Sequence, residues 1–384
     1  MNPIKKYAYR VFESQPSKAA YSNTPFFIAQ KSLASLFFKR LKRDISLFIF
    51  GQFRWLRQEM PKKGARILWI NRGMPQVGDA LCDLSCRVLL DPKDYHVDLY
   101  SESVVCDLLK GDPYFKNVSD NMGRFKSNHY DFVIIAGYSW TTIKFKVFHL
   151  RSAPFFSIYK HYSGPEFNRI VFAYHALFLS LRIKNAKTNQ LIKTCPTFYN
   201  LKYDHTETKR KKNQIAIVVG GVVSERIYSQ WVAIIQQLFK DFKRLNILLL
   251  GSDNGREMAH HIMQIVPHSK RIKNLVAKTS LDEAFHILKE SSVMICADGG
   301  LMHIGRAAKI PTLALFTGNT HPLMRFNRAD PAFAIYKKSS VSDISPHMIV
   351  NAYKKLVTAK QPKLEIVFAD EPFTQMSRLK AGER

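Results

Sequence analysis

Cysteine is scarce and unpatterned in this chain of 384 residues. Its five cysteines, Cys82, Cys86, Cys106, Cys195 and Cys296, include no C-x-x-C pair. That excludes a disulfide scaffold or a zinc ribbon and points to a reducing compartment with no metal site. Cys82 and Cys86, one helical turn apart, read as small buried residues. Long hydrophobic runs are missing too. Nowhere do about 18 apolar residues follow one another, so no membrane-spanning helix is expected. Met1 to Arg10 is polar and basic with no apolar stretch behind it, so no signal peptide is expected. No repeat recurs at a fixed period, and no block is of low complexity. Acidic residues are few, 30 Asp plus Glu against 58 Lys plus Arg. What is present is 46% hydrophobic, which is ordinary for globular protein, and long enough to fill two cores.

The resulting net charge of +28 attracts polyanions, whether nucleic acid, anionic lipid or phosphorylated glycan. Residues 1 to 63 hold thirteen Lys or Arg against Glu13, Asp44 and Glu59. Within them Leu33, Phe37, Leu41, Ile45 and Phe48 recur at helical spacing, while Lys39, Lys42, Arg43 and Ser46 fall on another face. Such a basic amphipathic helix either lies on an anionic membrane surface or packs its stripe on the protein's own first domain.

From Arg66 short apolar runs alternate with helical stretches: ILWI, a helix over 80–90, HVDLY, a helix over 104–109, DFVIIA. This pattern predicts a parallel sheet with crossover helices. Residues 140 to 200 are aromatic and basic, with a helix over 170–181. The polar run 204–213 is the best linker, and a second series of the same kind begins at Gln214. The expected division is therefore 1–63 as a basic extension, 64–203 as a first domain, 214–342 as a second, and 343–384 as a helix (345–357) and tail.

Val293 to Phe316, VMICADGGLMHIGRAAKIPTLALF, is the most informative stretch. It reads as strand, tight glycine turn, helix, strand. The first turn of such a helix offers unpaired backbone N–H groups and the positive end of its dipole, and Gly299 and Gly300 let an anion approach; a diphosphate is the expected occupant. His303 can add a donor, and Asp298 can accept from a sugar hydroxyl. Alternatively the unit is an ordinary crossover, with Asp298 as the helix cap and His303 as a core histidine.

These residues resemble the donor-binding signature of the lipopolysaccharide heptosyltransferases, glycosyltransferase family 9, which runs Asp, Ser or Thr, Gly, two variable residues, His. ARILWINRGMPQVGDALCDLSCRVLL, IAIVVGGVVSERIYSQWVAIIQQL, NILLLGSDNGREMAHHI and NLVAKTSLDEAFHILKESSVMICAD follow the family's order, so the resemblance covers roughly residues 66 to 335. It implies an α/β chain of GT-B architecture, two Rossmann-like domains facing a central cleft, with the 345–357 helix packing back towards the first domain. It also implies a metal-independent, cofactor-free enzyme that transfers a sugar with inversion. Asp79 matches the family's catalytic aspartate, although an Asp there can equally be an N-cap. Donor binding falls to Asp298, Gly299, Gly300 and His303, with Thr279 in AKTSL beside Lys278. Arg72 is placed to meet an anionic acceptor, or is a solvated loop charge.

Two positions depart from the family pattern. Gly299 stands where a hydroxyl residue is usual. The segment SERIYSQW lacks the family's Lys before a Trp-Pro pair, Trp231 falling in the helix that follows, so Arg226 or Arg306 is the candidate phosphate contact, or either is a surface charge. The leading reading is heptose transfer from ADP-heptose to the anionic lipopolysaccharide inner core by a cytoplasmic protein held peripherally at the inner face of the cytoplasmic membrane. A same-fold transferase using another nucleotide sugar is the second reading. A non-catalytic polyanion binder is the third, and with no nucleic-acid motif in the chain, nucleic acid is not an expected partner. Because the first strand starts near Arg66, an enzyme lacking residues 1 to 60 is expected to fold.

Overall fold

The computed structural model describes residues 3–13, 32–72, 76–101, 103–125, 129–161, 168–181, 209–267, 269–318 and 320–370. Cys195 and residues 204–208 of the expected linker lie outside them. The chain divides into two compact units, Met1–Asp204 and His205–Arg384.

The first unit opens with two helices, α1 (Pro3–Glu13) and α2 (Leu33–Ile49), and then alternates strand and helix. β1 (Arg66–Asn71), β2 (His96–Ser101), β3 (Asn117–Ser119), β4 (Phe132–Ile135) and β5 (Phe155–Ser157) form a parallel sheet in the order β3-β2-β1-β4-β5. Ile67, Leu68, Trp69 and Ile70 are all buried. A central parallel strand covered by helices on both faces requires such an unbroken apolar run. Helices α3 (Val77–Leu84), α4 (Ser103–Leu109) and α5 (Trp140–Leu150) connect its strands, and α6 (Arg169–Ser180) follows β5. The helix expected over 80–90 starts earlier and passes into a 3₁₀ turn, Ser85–Leu89. There Arg87 is drawn into the interior by Asp112, with Nη2 to Oδ2 at 2.7 Å and neither side chain exposed.

Residues 36 to 60 are part of this unit's body rather than an appended extension, which corrects the boundary expected at 63. Leu36 and Leu47 are buried, and Leu47 shares a core with Leu68, Ile70, Val133 and Phe155. The polar face of α2 is split. Lys39 and Lys42 are exposed, whereas Ser46 is buried with its hydroxyl near the carbonyls of Arg43 and Tyr138, and Arg43 donates to the carbonyl of His161. Farther along, Arg57 N donates to Phe155 O (2.9 Å) and Met60 N to Ser180 O (2.9 Å).

The second unit repeats the plan with seven parallel strands, β6 (Lys211–Val218), β7 (Asn246–Leu250), β8 (Ile272–Asn274), β9 (Ser291–Ala297), β10 (Thr312–Thr317), β11 (Ala332–Lys337) and β12 (Glu365–Phe368). Their order is β12-β11-β10-β9-β6-β7-β8. The helices are α7 (Trp231–Asp241), α8 (Arg256–Ile265), α9 (Leu281–Glu290), α10 (Gly300–Ala307) and α11 (Pro346–Thr358). Ser280 and Glu283 close a capping box on α9, and Ser345 caps α11 ahead of Pro346. β6 starts three residues before the expected Gln214 because Lys211 already pairs with Ser291. The tail is not a simple appendage: β12 pairs with β11, and α11 sends Ile349, Val350, Tyr353 and Leu356 into this unit's core, with Tyr353 on Phe242 (5.3 Å) and Lys354 on Asp241. Both sheets step outward from their first strand in two directions. That places a topological switch point between β1 and β4 and another between β6 and β9, where an α/β sheet binds its ligands.

Candidate active site

In the second unit the carboxyl end of the sheet is built around Asp298. This residue immediately follows β9, and its side chain is 3% exposed. Arg226, from the turn after β6, reaches Asp298 Oδ2 with Nη1 at 3.1 Å; Arg325, from the turn after β10, reaches Oδ1 with Nε at 3.3 Å. Arg226 also donates from Nη2 to Thr320 Oγ1 at 3.2 Å. One buried carboxylate thus ties together the loops following β6, β9 and β10. Arg226 remains 30% exposed, so part of its planar fork of donors faces outward. The turn after β6 is tight enough to need glycine. Gly220 has φ +88°, and a Cβ on it would lie 2.8 Å from the Gly255 backbone.

Asp298 is not the cap of α10. Gly299 occupies the N-cap position, with no side-chain bond to the helix. Gly299 and Gly300 are exposed, and a Cβ on Gly299 would meet nothing within 4 Å. The positive end of the helix is therefore open beside Arg226, the arrangement that accepts an anion. His303 lies one turn in and is 3% exposed, buried as a core histidine is. Arg306 is also inside, with Nη2 on Asp330 Oδ2 at 2.6 Å and its guanidinium over Phe326 at 5.0 Å. Of the two cations considered for the phosphates, Arg226 is the one at the open helix end. Thr279 is half-buried just before the Ser280 cap, and exposed Lys278 donates to Asn274 O at 3.2 Å.

In the first unit Asp79 is the third residue of α3, and Gln76 holds the N-cap, so capping does not account for it. Its Oδ1 receives Arg169 Nη1 at 2.9 Å, and the side chain is 28% exposed. Arg169 also grips Asp83, Nε to Oδ1 at 3.0 Å and Nη2 to Oδ2 at 2.8 Å, while Tyr159 donates to Asp83 Oδ1 at 2.5 Å. Burial alone would lower the Arg169 pKa, but Asp83, Tyr159 and Asp79 hold it well above its ordinary value, so the guanidinium stays charged. Arg72, immediately after β1, stacks on the Phe145 ring of α5 at 4.5 Å and is half-buried.

Arg169, Arg325 and Thr320 were not identifiable as site residues from sequence. A faint signal existed for Arg169. It is the first residue of α6, where the helix dipole disfavours a cation, so a compensating carboxylate is required nearby. Arg325 and Thr320 follow no periodic pattern, and only the fold brings them to Asp298.

This arrangement supplies an exposed-edge carboxylate held by an arginine in one unit and an anion-accepting helix end with a partly exposed guanidinium in the other. Comparison with known proteins bears on the second of these. Residues 148–336 match the model of glycosyltransferase family 9 (heptosyltransferase), a span that contains Thr279, Arg226 and Asp298 to Arg306 and begins after Arg72 and Asp79. A stretch of 78 residues, 20% of this chain, is 35% identical to lipooligosaccharide heptosyltransferase 2 of Haemophilus influenzae and covers 22% of that protein, so the chain matches about a fifth of this curated relative's length. The structure of the Escherichia coli ADP-heptose lipopolysaccharide heptosyltransferase II superposes with a TM-score of 0.60 at 17% identity, over 76% of this chain and 98% of that one. A family 9 glycosyltransferase from Veillonella parvula superposes with a TM-score of 0.62 at 12% identity, over 79% and 99%. At these identities the likeness is one of fold, the GT-B pair of parallel-sheet units. Together with the family match across the donor motif, it makes this chain similar to glycosyltransferase family 9 in fold and in its donor segment.

Proposed function

We propose that the chain is an inverting glycosyltransferase that moves a heptose from ADP-heptose onto the inner core of lipopolysaccharide. One observation carries the reading: the N-terminus of α10 stands open at Gly299 and Gly300 beside Arg226, at the switch point of the second sheet. A nucleotide diphosphate placed there meets backbone N–H groups and one guanidinium, which bear the charge released as the sugar leaves. Thr279, in the turn between β8 and α9, is assigned to the donor side as a hydroxyl, and Asp298 keeps Arg226 in place. Asp79 takes the proton from the acceptor hydroxyl. Arg169 fixes Oδ1 and so orients the carboxylate, and the partial exposure of Asp79 leaves it accessible to a sugar. Arg72 meets the anionic acceptor. The relatives named above, one of them an ADP-heptose lipopolysaccharide heptosyltransferase, support the choice of donor and acceptor.

The acceptor's lipid anchor puts this reaction at the inner face of the cytoplasmic membrane, with the protein held there peripherally; no described helix is long and apolar enough to cross a membrane. A second reading, another nucleotide sugar on the same scaffold, is favoured by Gly299 and by Arg226 standing in place of the family's Lys. The test is incubation with a panel of nucleotide sugars and a deacylated, truncated core acceptor, with the product weighed by mass spectrometry. A gain of one heptose from ADP-heptose alone supports the first reading. Transfer of a different sugar supports the second, and no transfer from any donor overturns both.

A further inference from the structure

The apolar stripe of α2 does not all go inside. Leu36 and Leu47 face the core, but Leu33, Phe38, Ile45, Phe48 and Ile49 are exposed, Phe38 by 58% and Phe48 by 76%. At about 100° per residue these five fall within one arc of roughly 160°. Phe50, at the end of the helix, packs on Trp140 of α5 (4.9 Å), which is itself 46% exposed. α1 adds exposed Ile4 and lies on α2 through Tyr7, whose ring meets Phe37 at 5.3 Å and whose hydroxyl donates to Asp44 at 2.6 Å. A folded chain rarely leaves so many large apolar side chains together on one helix face without a partner.

Among the described residues, the exposed charges of α1 and α2 are of one sign. Lys5 and Lys6 on α1 and Lys39 and Lys42 on α2 are exposed. The one acid within α2, Asp44, is turned to Tyr7 and to His161 (2.7 Å). We propose that this face, the outer arc of α2 with its flanking lysines, docks on an anionic phospholipid surface, with Phe38, Ile45 and Phe48 entering the headgroup boundary. Lysines at the edge of an apolar arc keep their stems on the hydrocarbon and their ammonium groups at the phosphates. A second copy of the chain fits less well, because a twofold contact through this arc would bring lysines of like charge together. The inference deepens the membrane location proposed above, but it does not depend on which sugar is transferred.

The experiment is co-sedimentation of the full chain, without donor or acceptor, with vesicles of phosphatidylethanolamine and phosphatidylglycerol, and separately of phosphatidylcholine. Binding to the anionic vesicles alone is expected, fading as salt rises. Lys39→Gln with Lys42→Gln should weaken it roughly thirtyfold, at about 1 kcal/mol for each lysine. Ile45→Ser with Phe48→Ser should weaken it more than tenfold with the melting temperature unchanged, since both side chains are exposed. These variants should retain sugar transfer to the soluble deacylated acceptor, so loss of docking is distinguishable from failure of the transferase reading. Equal binding of the Ile45→Ser, Phe48→Ser variant and the unaltered chain overturns the proposal. So does absence of vesicle binding, or a dimer in solution that this variant splits.

Discussion

At the scale of single residues the informative contrast lies between two aspartates at strand-to-helix turns. Asp79 and Asp298 both sit where an Asp commonly caps a helix, and neither caps one, since Gln76 and Gly299 hold those positions. Each instead faces arginine, Arg169 for the first and Arg226 with Arg325 for the second. Asp79→Asn keeps the shape and the contact with Arg169 but cannot accept a hydroxyl proton. Transfer is expected to fall about 10² to 10⁴-fold with ADP affinity unchanged, as steady-state rates and calorimetry would show. Retention of most of the activity would move the base elsewhere. Gly299 gives a second prediction. Its φ of −177° is extended backbone open to any residue, and a Cβ there meets nothing, so Gly299→Ser fits without strain and returns a hydroxyl beside the open helix end. ADP binding should tighten by about tenfold or more, since one hydrogen bond to a charged group contributes about 1.5 kcal/mol or more. Unchanged affinity would place the diphosphate away from this turn.

Among the elements, α2 and the segment after it decide how the first unit holds together. Leu47, Trp55 and Leu56 pack into its core, and Gln52 Oε1 accepts from Lys146 Nζ of α5 at 2.7 Å. Removing residues 1 to 60 therefore strips core rather than decoration. Each large buried side chain lost is worth about 2 to 5 kcal/mol, so the truncated protein should fail to fold the first unit, read as aggregation or as loss of its cooperative melting transition. A soluble truncated protein with native melting would restore the separate-extension reading. Lys146 itself makes the joint sensitive to pH. Burial pushes its pKa from 10.5 down to about 7, so between pH 7 and about 10 the unfolded chain binds more protons than the folded one. Stability contributed at this site is therefore present above the unfolded pKa and lost as pH falls towards 7, with a slope of at most about 1.4 kcal/mol per pH unit. Lys146→Met should remove that slope in melts run from pH 7 to 10; identical slopes would mean the lysine stays charged when folded.

For the whole molecule, the net charge of +28 sets nucleotide binding against nonspecific attraction of polyanions. ADP should raise the melting temperature of the full chain, by about 2.7 kcal/mol of stabilisation at a hundredfold excess over its dissociation constant. The effect should persist at salt concentrations that abolish any shift from single-stranded nucleic acid, because hydrogen bonds from a helix end and one guanidinium to a diphosphate are short and directional whereas polyanion binding rests on counterion release. A nucleotide effect that vanishes with salt alongside that of nucleic acid would favour a polyanion binder.

Much of this could be read in the sequence, and the reason is locality. Buried parallel strands demand unbroken apolar runs, so ILWI, DFVIIA and VMICA announced β1, β4 and β9, and a glycine pair after a strand announced the open turn at Gly299. Periodicity likewise showed that α2 has an apolar stripe. It did not show which part of that stripe is covered, because Leu47 shares its core with residues as distant as Leu68, Val133 and Phe155, while Ile45 and Phe48 are left exposed. The arginines follow the same rule. Arg169 reaches Asp83 across 86 positions and Arg325 reaches Asp298 across 27, and such pairings leave no spacing to read. Local conformation and the character of each segment were determined by the sequence itself. Which charges neutralise one another, and which apolar face is left for a partner, was decided only when the sheets brought distant loops to one edge.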